Sequence, residues 1–314
     1  EKLVSNWFVL KPDGDLKPVS EFSFEGCDNL RRFTQYEIEK VRAVHQMPPH
    51  VSLMKRLSLA DHEPGSDPGN LRYYPKGRFV KSQIECYVTD MVKRYGAVEV
   101  ETPIMYEYEH PALKNYLNRF PARQYTIKTP NKKVFLRFAA CFGQFLILHK
   151  TNISYKNLPL SLYELTKYSF RVEQRGELAG LRRLRTFTMP DCHAICKDLE
   201  QAKEEMLRRF EIAKKIQEGL ELDGDLEMAI RVVKDFYEQN KSFILELVKK
   251  WGKPALVEMW NKRFFYFVLK YELNFIDEMG KATALATDQF DVENAERLSL
   301  IHISEPTRLG MISY

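Results

Sequence analysis

The stretch SFRVEQRGELAGLRRLRTFTMPDCHAIC, at Ser169–Cys196, has the pattern of two strands joined by a loop that contains glycine. Because side chains alternate faces along a strand, Arg171 and Glu173 are expected to share one face of the incoming strand. By the same rule, Arg183 and Phe187 are expected to share one face of the outgoing strand. Guanidinium groups pair with phosphate oxygens and stack on planar rings. The stretch therefore favours a bound nucleotide.

The composition is typical of a globular protein with a sizeable core. Of the 314 residues, 44% are hydrophobic, 12% are aromatic and 29% are charged, which argues against disorder. The net charge of +5 is weakly compatible with an anionic partner. No apolar run reaches the roughly 18 residues of a membrane span, so no membrane association is expected. The five cysteines are an odd number without a disulfide spacing, which indicates a reducing, cytoplasmic compartment.

The order of predicted elements favours the α+β class with an antiparallel sheet, because helices surround mostly consecutive strands. A hairpin is expected at Trp7–Ser23, and Asp198 is expected to cap a helix. Neither a Walker A motif nor a G-x-G-x-x-G motif occurs in the sequence. Further predicted helices cover 29–45, 77–95, 140–149 and 226–249, and further predicted strands cover 96–105, 125–129, 134–138, 263–275 and 283–292.

Several segments carry a resemblance to a known family. GAVEVETP at 96–103 resembles motif 1 of the class II aminoacyl-tRNA synthetases, and 170–187 resembles their motif 2. With RFAACFGQF at 137–145, LPLSLYELTKYSFR at 158–171 and DCHAIC at 191–196, the sequence is similar to the archaeal threonyl-tRNA synthetases. The resemblance runs from about Trp7 to Arg297. It implies the class II synthetase catalytic core, an antiparallel β-sheet flanked by helices.

The resemblance implies roles in ATP binding for five residues. Arg171 would hold the α-phosphate of ATP and the aminoacyl carboxylate, and would therefore act in catalysis. Glu173 would contact the adenine amino group, Arg183 a phosphate and Phe187 the adenine face. Gln289, in TALATDQFDV, matches a further ATP contact. Without the family, Arg183 reads equally well as a solvent-facing charge on an edge strand.

The resemblance also implies a zinc ion, for which Cys141 and His193 match two of three ligands. Their spacing alone carries no such signal. An open-coordination Zn²⁺ is a Lewis acid, and in this family it binds the threonine amino and hydroxyl groups. Asp191 matches a contact to the threonine hydroxyl, and Tyr266 matches a residue that lines the pocket. Tyr266 reads equally well as a core residue of an aromatic strand. Cys192 and Cys196 are expected to be buried thiols.

The sequence stops matching the family after AERL at 295–298. The family continues into motif 3, which supplies the third zinc ligand, a histidine, and an arginine for the γ-phosphate of ATP. We expect residues 1–62 to form a hairpin and helices that precede the core, 63–298 to form the core truncated before motif 3, and 299–314 to be a non-native, artefactual tail. His302 and Arg308 therefore receive no role. Because the chain starts at Glu1 and the third ligand is missing, we expect a fragment with little or no activity.

The implied activity is that of a threonine–tRNA ligase. Threonine and ATP, with Mg²⁺, would give threonyl-adenylate, and the threonyl group would pass to tRNA-Thr. A homodimer built through motif 1 is expected for the intact protein. Two alternatives remain open: another class II synthetase, of the prolyl or seryl type, and a non-catalytic synthetase-like protein that binds tRNA. Zinc analysis distinguishes the first, and ATP binding without adenylate formation, in a chain with motif 3 restored, distinguishes the second.

Overall fold

The computed structural model describes residues 2–40, 46–117, 123–294 and 312–313. The chain folds as two compact units. Unit 1 comprises Glu1–Val41, Ile153–Leu160 and Ala194–Tyr314, and unit 2 comprises Arg42–Asn152 and Ser161–His193. Within the described ranges, no helix combines the length and the apolar character that crossing a membrane requires. The predicted tail at 299–314 lies outside the described residues, apart from 312 and 313.

Fifteen strands and eight α-helices occur in the described part of the chain. The strands are β1 (Ser5–Leu10), β2 (Leu16–Pro18), β3 (Ala60–His62), β4 (Leu71–Tyr73), β5 (Val98–Glu99), β6 (Met105–Glu107), β7 (Tyr125–Lys128), β8 (Lys133–Leu136), β9 (Leu160–Phe170), β10 (Thr186–Ile195), β11 (Leu226–Val233), β12 (Ala255–Trp260), β13 (Phe267–Ile276), β14 (Ala282–Asp291) and β15 (Ile312–Ser313). The helices are α1 (Asp28–Glu39), α2 (Pro49–Arg56), α3 (Pro75–Arg94), α4 (Pro111–Leu117), α5 (Cys141–His149), α6 (Leu199–Gly219), α7 (Lys234–Gln239) and α8 (Lys241–Trp251).

Unit 1 is built on a sheet with the strand order β2-β1-β12-β11-β13-β14. The β11–β12 pair is parallel, and the other neighbouring pairs are antiparallel. The short strand β15 pairs with β14 and with Ala194 and Ile195. The sheet is thus mainly antiparallel, as predicted. The predicted helix at 226–249 is wrong in its first part, because that segment forms β11 before the chain enters α7 and α8.

Alternating side chains on β11 explain how helices cover both faces of this sheet. Ile230 and Val232 are fully buried in a cluster with Met206 of α6 and Ile244 of α8. The intervening Ala229 belongs to a second cluster, together with residues of α1. The neighbouring side chain on that second face is a charged arginine, Arg231, which forms ion pairs with three glutamates.

Unit 2 contains most of β9 and β10, which are neighbours in the strand order β10-β9-β5. It also contains the hairpin β3–β4 and the three-stranded sheet β6-β8-β7. Helix α3 packs against β9, where Tyr163 is fully buried and its hydroxyl lies 2.8 Å from that of Thr89. Cys192 is half-buried in the same cluster, whereas Cys196, in unit 1, is fully buried as predicted.

Candidate active site

The predicted nucleotide-binding residues lie mostly in the segment that connects β9 to β10. Strand β9 ends at Phe170 and β10 begins at Thr186, so Arg171 and Glu173 follow one strand and Arg183 precedes the next. The prediction that these three side chains lie on strands is therefore wrong. The segment forms a 3₁₀ turn and a local bridge of its own, which replace the ladder hydrogen bonds of a continuous hairpin. Their convergence does not depend on strand alternation.

Glu173 lies at the centre of the segment and its side chain is only 5% exposed. The guanidinium of Arg183 donates two hydrogen bonds to Glu173 Oε2, from Nε at 3.2 Å and from Nη2 at 2.8 Å. Arg123, which precedes β7, donates from Nη1 to Glu173 Oε1 at 3.0 Å. Hydrogen bonds between a guanidinium group and a carboxylate are among the stronger ones in proteins. Predicted residues Glu173 and Arg183 are thus brought into direct contact.

Arg171 presents a cation that the fold has largely removed from water. Desolvation lowers the pKa of its guanidinium, the nearby charge of Arg123 lowers it further, and Glu173 opposes both effects. The guanidinium lies 5.5 Å from the centre of the Phe187 ring. Among the described residues, no carboxylate forms an ion pair with it. A desolvated cation beside an aromatic ring, without a carboxylate partner, is suited to an anionic group attached to a planar base.

Asp191, on β10, is held by a hydrogen bond from Thr166 Oγ1 to its Oδ2 at 2.9 Å. Burial raises the pKa of Asp191 to about 7, and the hydrogen bond from Thr166 opposes that effect. Its carboxyl group lies on the segment that ends in His193. The predicted substrate contact and the predicted metal ligand therefore lie two residues apart on one strand.

Cys141 and His193 are both buried, and Gln144 connects the elements that carry them. Cys141 is the first residue of α5, and Gln144 follows one helical turn later. The side chain of Gln144 contacts β10 twice. Its Oε1 lies 2.7 Å from Nδ1 of His193, and its Nε2 donates to the backbone oxygen of Asp191 at 3.4 Å. The amino-terminal turn of α5 therefore packs against the segment of β10 that contains His193.

The position of α5 depends on a close contact at Gly143. A Cβ atom there would lie 2.5 Å from both Thr102 Oγ1 and the hydroxyl of Tyr106, so no larger residue fits without a displacement. Thr102 in turn donates its hydroxyl to Glu164 Oε2 at 2.8 Å. The guanidinium of Arg137 donates to Glu164 Oε1 at 2.6 Å, and both side chains are at most 5% exposed. This buried ion pair fixes the strand that leads into Arg171.

The two remaining predicted residues lie in unit 1 and contact each other. Gln289, on β14, is 8% exposed and donates from Nε2 to the hydroxyl of Tyr266 at 2.9 Å. Tyr266 is partly buried against a cluster formed by Val233, Trp260 and Phe267. The alternative that Tyr266 is a packing residue is thus supported for its ring, whereas its hydroxyl makes a polar contact.

The sequence did not reveal three further residues that contact the site. Arg123 and Asp67 belong to segments without periodicity, and Arg185 was not distinguished from a surface residue. The Arg185 side chain is 14% exposed and donates to Asp67 Oδ1 at 2.8 Å. Gln144 could have been found, because it lies three residues after Cys141 on a predicted helix and therefore shares its face.

Comparison with known proteins identifies the family of this chain. The sequence profile of the tRNA synthetase class II core domain (G, H, P, S and T) matches residues 125–308. The chain belongs to the class II tRNA synthetases. The predicted class of catalytic core is therefore confirmed, including the mainly antiparallel sheet with flanking helices.

Among curated relatives, this class II synthetase chain is similar to threonine–tRNA ligases of archaea. It is 59% identical to the ligase of Pyrococcus horikoshii over 305 residues, and 58% identical to that of Methanothrix thermoacetophila over 303 residues. The alignments cover 97% and 96% of the chain and 49% of each relative. The chain thus spans about half the length of the curated relatives it matches. The predicted resemblance to the archaeal threonyl type is confirmed.

Solved structures show the same fold at low sequence identity. A threonyl-tRNA synthetase structure from Cryptosporidium parvum, titled as its RNA binding domain, has a TM-score of 0.71 at 19% identity, covering 84% of this chain and 67% of that one. A Giardia lamblia prolyl-tRNA synthetase in complex with prolyl-adenylate has a TM-score of 0.64 at 15% identity, covering 83% and 48%. Because a prolyl enzyme shares the fold, the fold alone does not identify the amino acid.

Proposed function

We propose that this chain supplies catalytic-core residues of a threonine–tRNA ligase. The observation that carries the proposal is the guanidinium of Arg171, desolvated beside Phe187 and without an ion pair to any described carboxylate. An α-phosphate could take the place of that missing carboxylate. Similarity to threonine–tRNA ligases at 57–59% identity selects threonine as the amino acid.

The reaction that these residues would support needs no nucleophile from the protein. An oxygen of the threonine carboxylate attacks the α-phosphorus of ATP, the bond to the β-phosphate breaks, and pyrophosphate leaves with Mg²⁺. Negative charge accumulates on the phosphate oxygens in the transition state, where Arg171 would stabilise it. The terminal adenosine of tRNA-Thr then attacks the threonyl carbonyl group and AMP leaves.

Glu173 and Phe187 would select the base. The carboxylate of Glu173 has lone pairs beyond those used by Arg183 and Arg123, so it can still accept a hydrogen bond from the adenine amino group. Phe187 supplies an apolar face for the ring. Gln289 is proposed as a further contact to ATP, on the basis of its match to the family.

Two residues of unit 2, Cys141 and His193, have side chains that can bind a zinc ion. The oxygen of Gln144 can only accept, so Nδ1 of His193 donates to it, and Nε2 is the ring nitrogen that would bind a metal. The thiol of Cys141 is the type of donor that zinc prefers, and bound zinc would polarise the threonine amino and hydroxyl groups. Among the described residues, no group of three or more metal-binding side chains occurs. Asp191 and Tyr266 are proposed to contact the substrate.

The experiment that tests the amino acid is a binding series with non-hydrolysable sulfamoyl analogues of aminoacyl-adenylates. We expect the threonyl analogue to bind this chain more tightly than the valyl, prolyl and seryl analogues in isothermal titration calorimetry. A site built to bond a hydroxyl rejects an analogue without one by up to about 10⁴–10⁵. The seryl analogue lacks only a methyl group, so its affinity should be about 10–200-fold lower than that of the threonyl analogue.

Two outcomes favour the alternatives. Preference for the prolyl or seryl analogue indicates another class II synthetase. In a chain extended through motif 3, binding of ATP without binding of any adenylate analogue indicates a non-catalytic synthetase-like protein. Zinc content is measured separately by mass spectrometry of the purified chain, with Cys141→Ser as the variant expected to lose metal and Cys86→Ser, at an exposed thiol, as the control.

We propose a homodimer for the intact protein on the basis of exposed apolar side chains in the motif 1 region. Phe79, Val80 and Ile84 of α3 are 64%, 46% and 43% exposed, and Val98 of β5 is 52% exposed. A second copy of the protein would cover this surface. Light scattering of the Phe79→Ser variant should then give a monomer where the parent gives a dimer.

We also propose a cytoplasmic location, because all five cysteines are free thiols, as expected in a reducing compartment. The boundaries of the core at 63 and 298 stay a prediction, as does the artefactual origin of the tail.

A further inference from the structure

Arg185 is held by hydrogen bonds at its backbone and at its guanidinium group, although the proposed reaction gives it no role. Its backbone nitrogen donates to the oxygen of Gly69 at 3.0 Å, and its backbone oxygen accepts from the nitrogen of Arg171 at 2.8 Å. Its guanidinium donates from Nε at 2.9 Å and from Nη2 at 2.6 Å to the backbone oxygen of Glu173. Arg185 therefore connects the part of the segment that follows β9 with the part that precedes β10.

The third donor of the same guanidinium connects this segment to a loop more than one hundred residues earlier. Nη1 of Arg185 donates to Asp67 Oδ1 at 2.8 Å, and Asp67 Oδ2 accepts from the hydroxyl of Tyr125 at 2.5 Å. The hydrogen bond from Tyr125 lowers the pKa of Asp67, burial opposes it, and the charge of Arg185 lowers it further. Asp67 is thus an ionised anchor between two donors.

The loop itself has little freedom at this contact. Gly69 has φ +89, and a Cβ atom there would lie 3.0 Å from the Arg185 nitrogen. The hydroxyl of Thr186 also forms a hydrogen bond with the side-chain oxygen of Asn70. The loop therefore holds Arg185 by backbone and side-chain contacts together, and a planar fork with three engaged donors has few alternative orientations.

The consequence concerns Glu173, whose backbone oxygen accepts two of these donors. Fixing the carbonyl group fixes the peptide plane, and with it the direction in which the Glu173 side chain leaves the backbone. Arg123 and Arg183 then hold the carboxylate from two sides. Arg185 itself does not touch the carboxylate.

We propose that Arg185, anchored by Asp67, is a positioning residue that aims the Glu173 carboxylate at the adenine amino group. The inference rests on the proposed function, in which Glu173 reads that amino group. It predicts that loss of the Arg185 guanidinium group lowers the selectivity for the base but not the general affinity for triphosphates. A lysine at 185 keeps the positive charge but cannot engage a carbonyl and a carboxylate in the same way.

The experiment compares two nucleotides by titration calorimetry: ATP, and purine riboside triphosphate, which lacks the 6-amino group. A hydrogen bond to a charged group is worth about tenfold or more in affinity, so the parent chain should prefer ATP by about that factor. In Arg185→Lys and in Asp67→Asn, the preference should fall to about twofold or less, because the ATP affinity drops while the affinity for the analogue does not. Arg175→Lys, at an exposed arginine of the same segment, is the matched control and should keep the preference.

Every other outcome contradicts either this inference or the proposed function. Equal losses for both nucleotides in Arg185→Lys would mean a merely structural role, and an unchanged preference in both variants would mean no role. Either result overturns this inference alone. A parent chain that binds ATP without any preference removes the base-reading role of Glu173, and this inference with it. A chain extended through motif 3 that binds neither nucleotide contradicts the proposed function. Asp67→Asn keeps the side-chain shape and the Tyr125 hydrogen bond, so it provides the answer if Arg185→Lys melts early by circular dichroism.

Discussion

Replacing Arg231 by methionine should destabilise unit 1 strongly at neutral pH and much less in acid. Arg231 lies on β11 and contacts Glu37 of α1, Glu258 of β12 and Glu272 of β13. The side chains of all four are at most 19% exposed. Methionine fills a similar volume but leaves three carboxylates without their common cation, although Lys270 remains 2.7 Å from Glu272.

The magnitude follows from the electrostatics of the cluster. Burial opposes the charged form of Glu272, but the charges of Lys270 and Arg231 more than offset it and lower its pKa to about 2. Relative to the ordinary value of 4.5, this corresponds to about 3 kcal/mol, at about 1.4 kcal/mol for each pH unit. Removing one partner of a buried pair generally costs about 3–5 kcal/mol. We therefore expect Arg231→Met to lower the free energy of unfolding by about 3–5 kcal/mol at pH 7.

The pH dependence provides the sharper test. In the parent, the lowered pKa of Glu272 stabilises the fold fully above about 4.5, and that stability is lost as the pH falls through about 2. In the variant, carboxylates without the cation take up protons in the folded state at higher pH, so the folded form gains relative stability on acidification. The difference between parent and variant should therefore shrink between pH 7 and pH 4.5.

Tryptophan fluorescence during urea unfolding measures this difference in unit 1 alone. All three tryptophans, Trp7, Trp251 and Trp260, lie in that unit. Urea is preferred because guanidinium salts screen charges. Arg31→Met is the control, since the Arg31 side chain is 63% exposed in its pair with Asp28 and should change stability by less than about 0.5 kcal/mol. A loss below about 1 kcal/mol for Arg231→Met, or a loss that is equal at both pH values, would refute the reasoning.

Three further substitutions test packing in unit 2, which hydrogen–deuterium exchange must report because unit 2 contains no tryptophan. Gly180→Ala should lower the free energy of unfolding by about 1–3 kcal/mol, since residue 180 has φ +52 and a Cβ atom would lie 2.4 Å from His50 Nε2. Unchanged protection of the flanking segment against hydrogen exchange would contradict this. Gly143→Ala should cost a similar amount despite the better helix propensity of alanine, and normal protection of α5 would show that the neighbours yield freely. Arg137→Met should cost about 3–5 kcal/mol and expose β9, because it strands the buried Glu164 carboxylate; a loss typical of a surface pair would disprove that view.

Local patterns predicted much of the fold. The strand pair β7–β8 and helix α5 occur close to their predicted positions. Asp198 caps α6 as expected, with its Oδ1 accepting from the Gln201 nitrogen at 2.8 Å. The clear failure is β11, whose sequence LEMAIRVV is buried on both faces, although Glu227 and Arg231 place charges on one of them. Periodicity cannot separate a strand buried on both sides from a buried helix, and the helical segments that follow extended the error.

The sequence indicated several residues of the candidate site, but it did not indicate most of the contacts between them. Arg171 and Phe187 meet as a strand pattern suggested, although only Phe187 lies on a strand. The partners of Glu173 could not be read from spacing, since Arg123 is 50 residues away along the chain. The Asp67 contact to Arg185 spans 118 residues and depends on how the fold closes. Such contacts leave no local periodicity in a single sequence.

The threading of the chain has a consequence for synthesis on the ribosome. Strand β1 is translated about 250 residues before its antiparallel partner β12. At about 5–20 residues per second, the delay is roughly 12–50 s. Strand β1 can pair with β2 at once, but its other edge must stay unpaired or be shielded during that interval, while every residue of unit 2 is already translated by His193. The inserted unit can therefore finish folding before the unit that surrounds it in sequence completes its sheet.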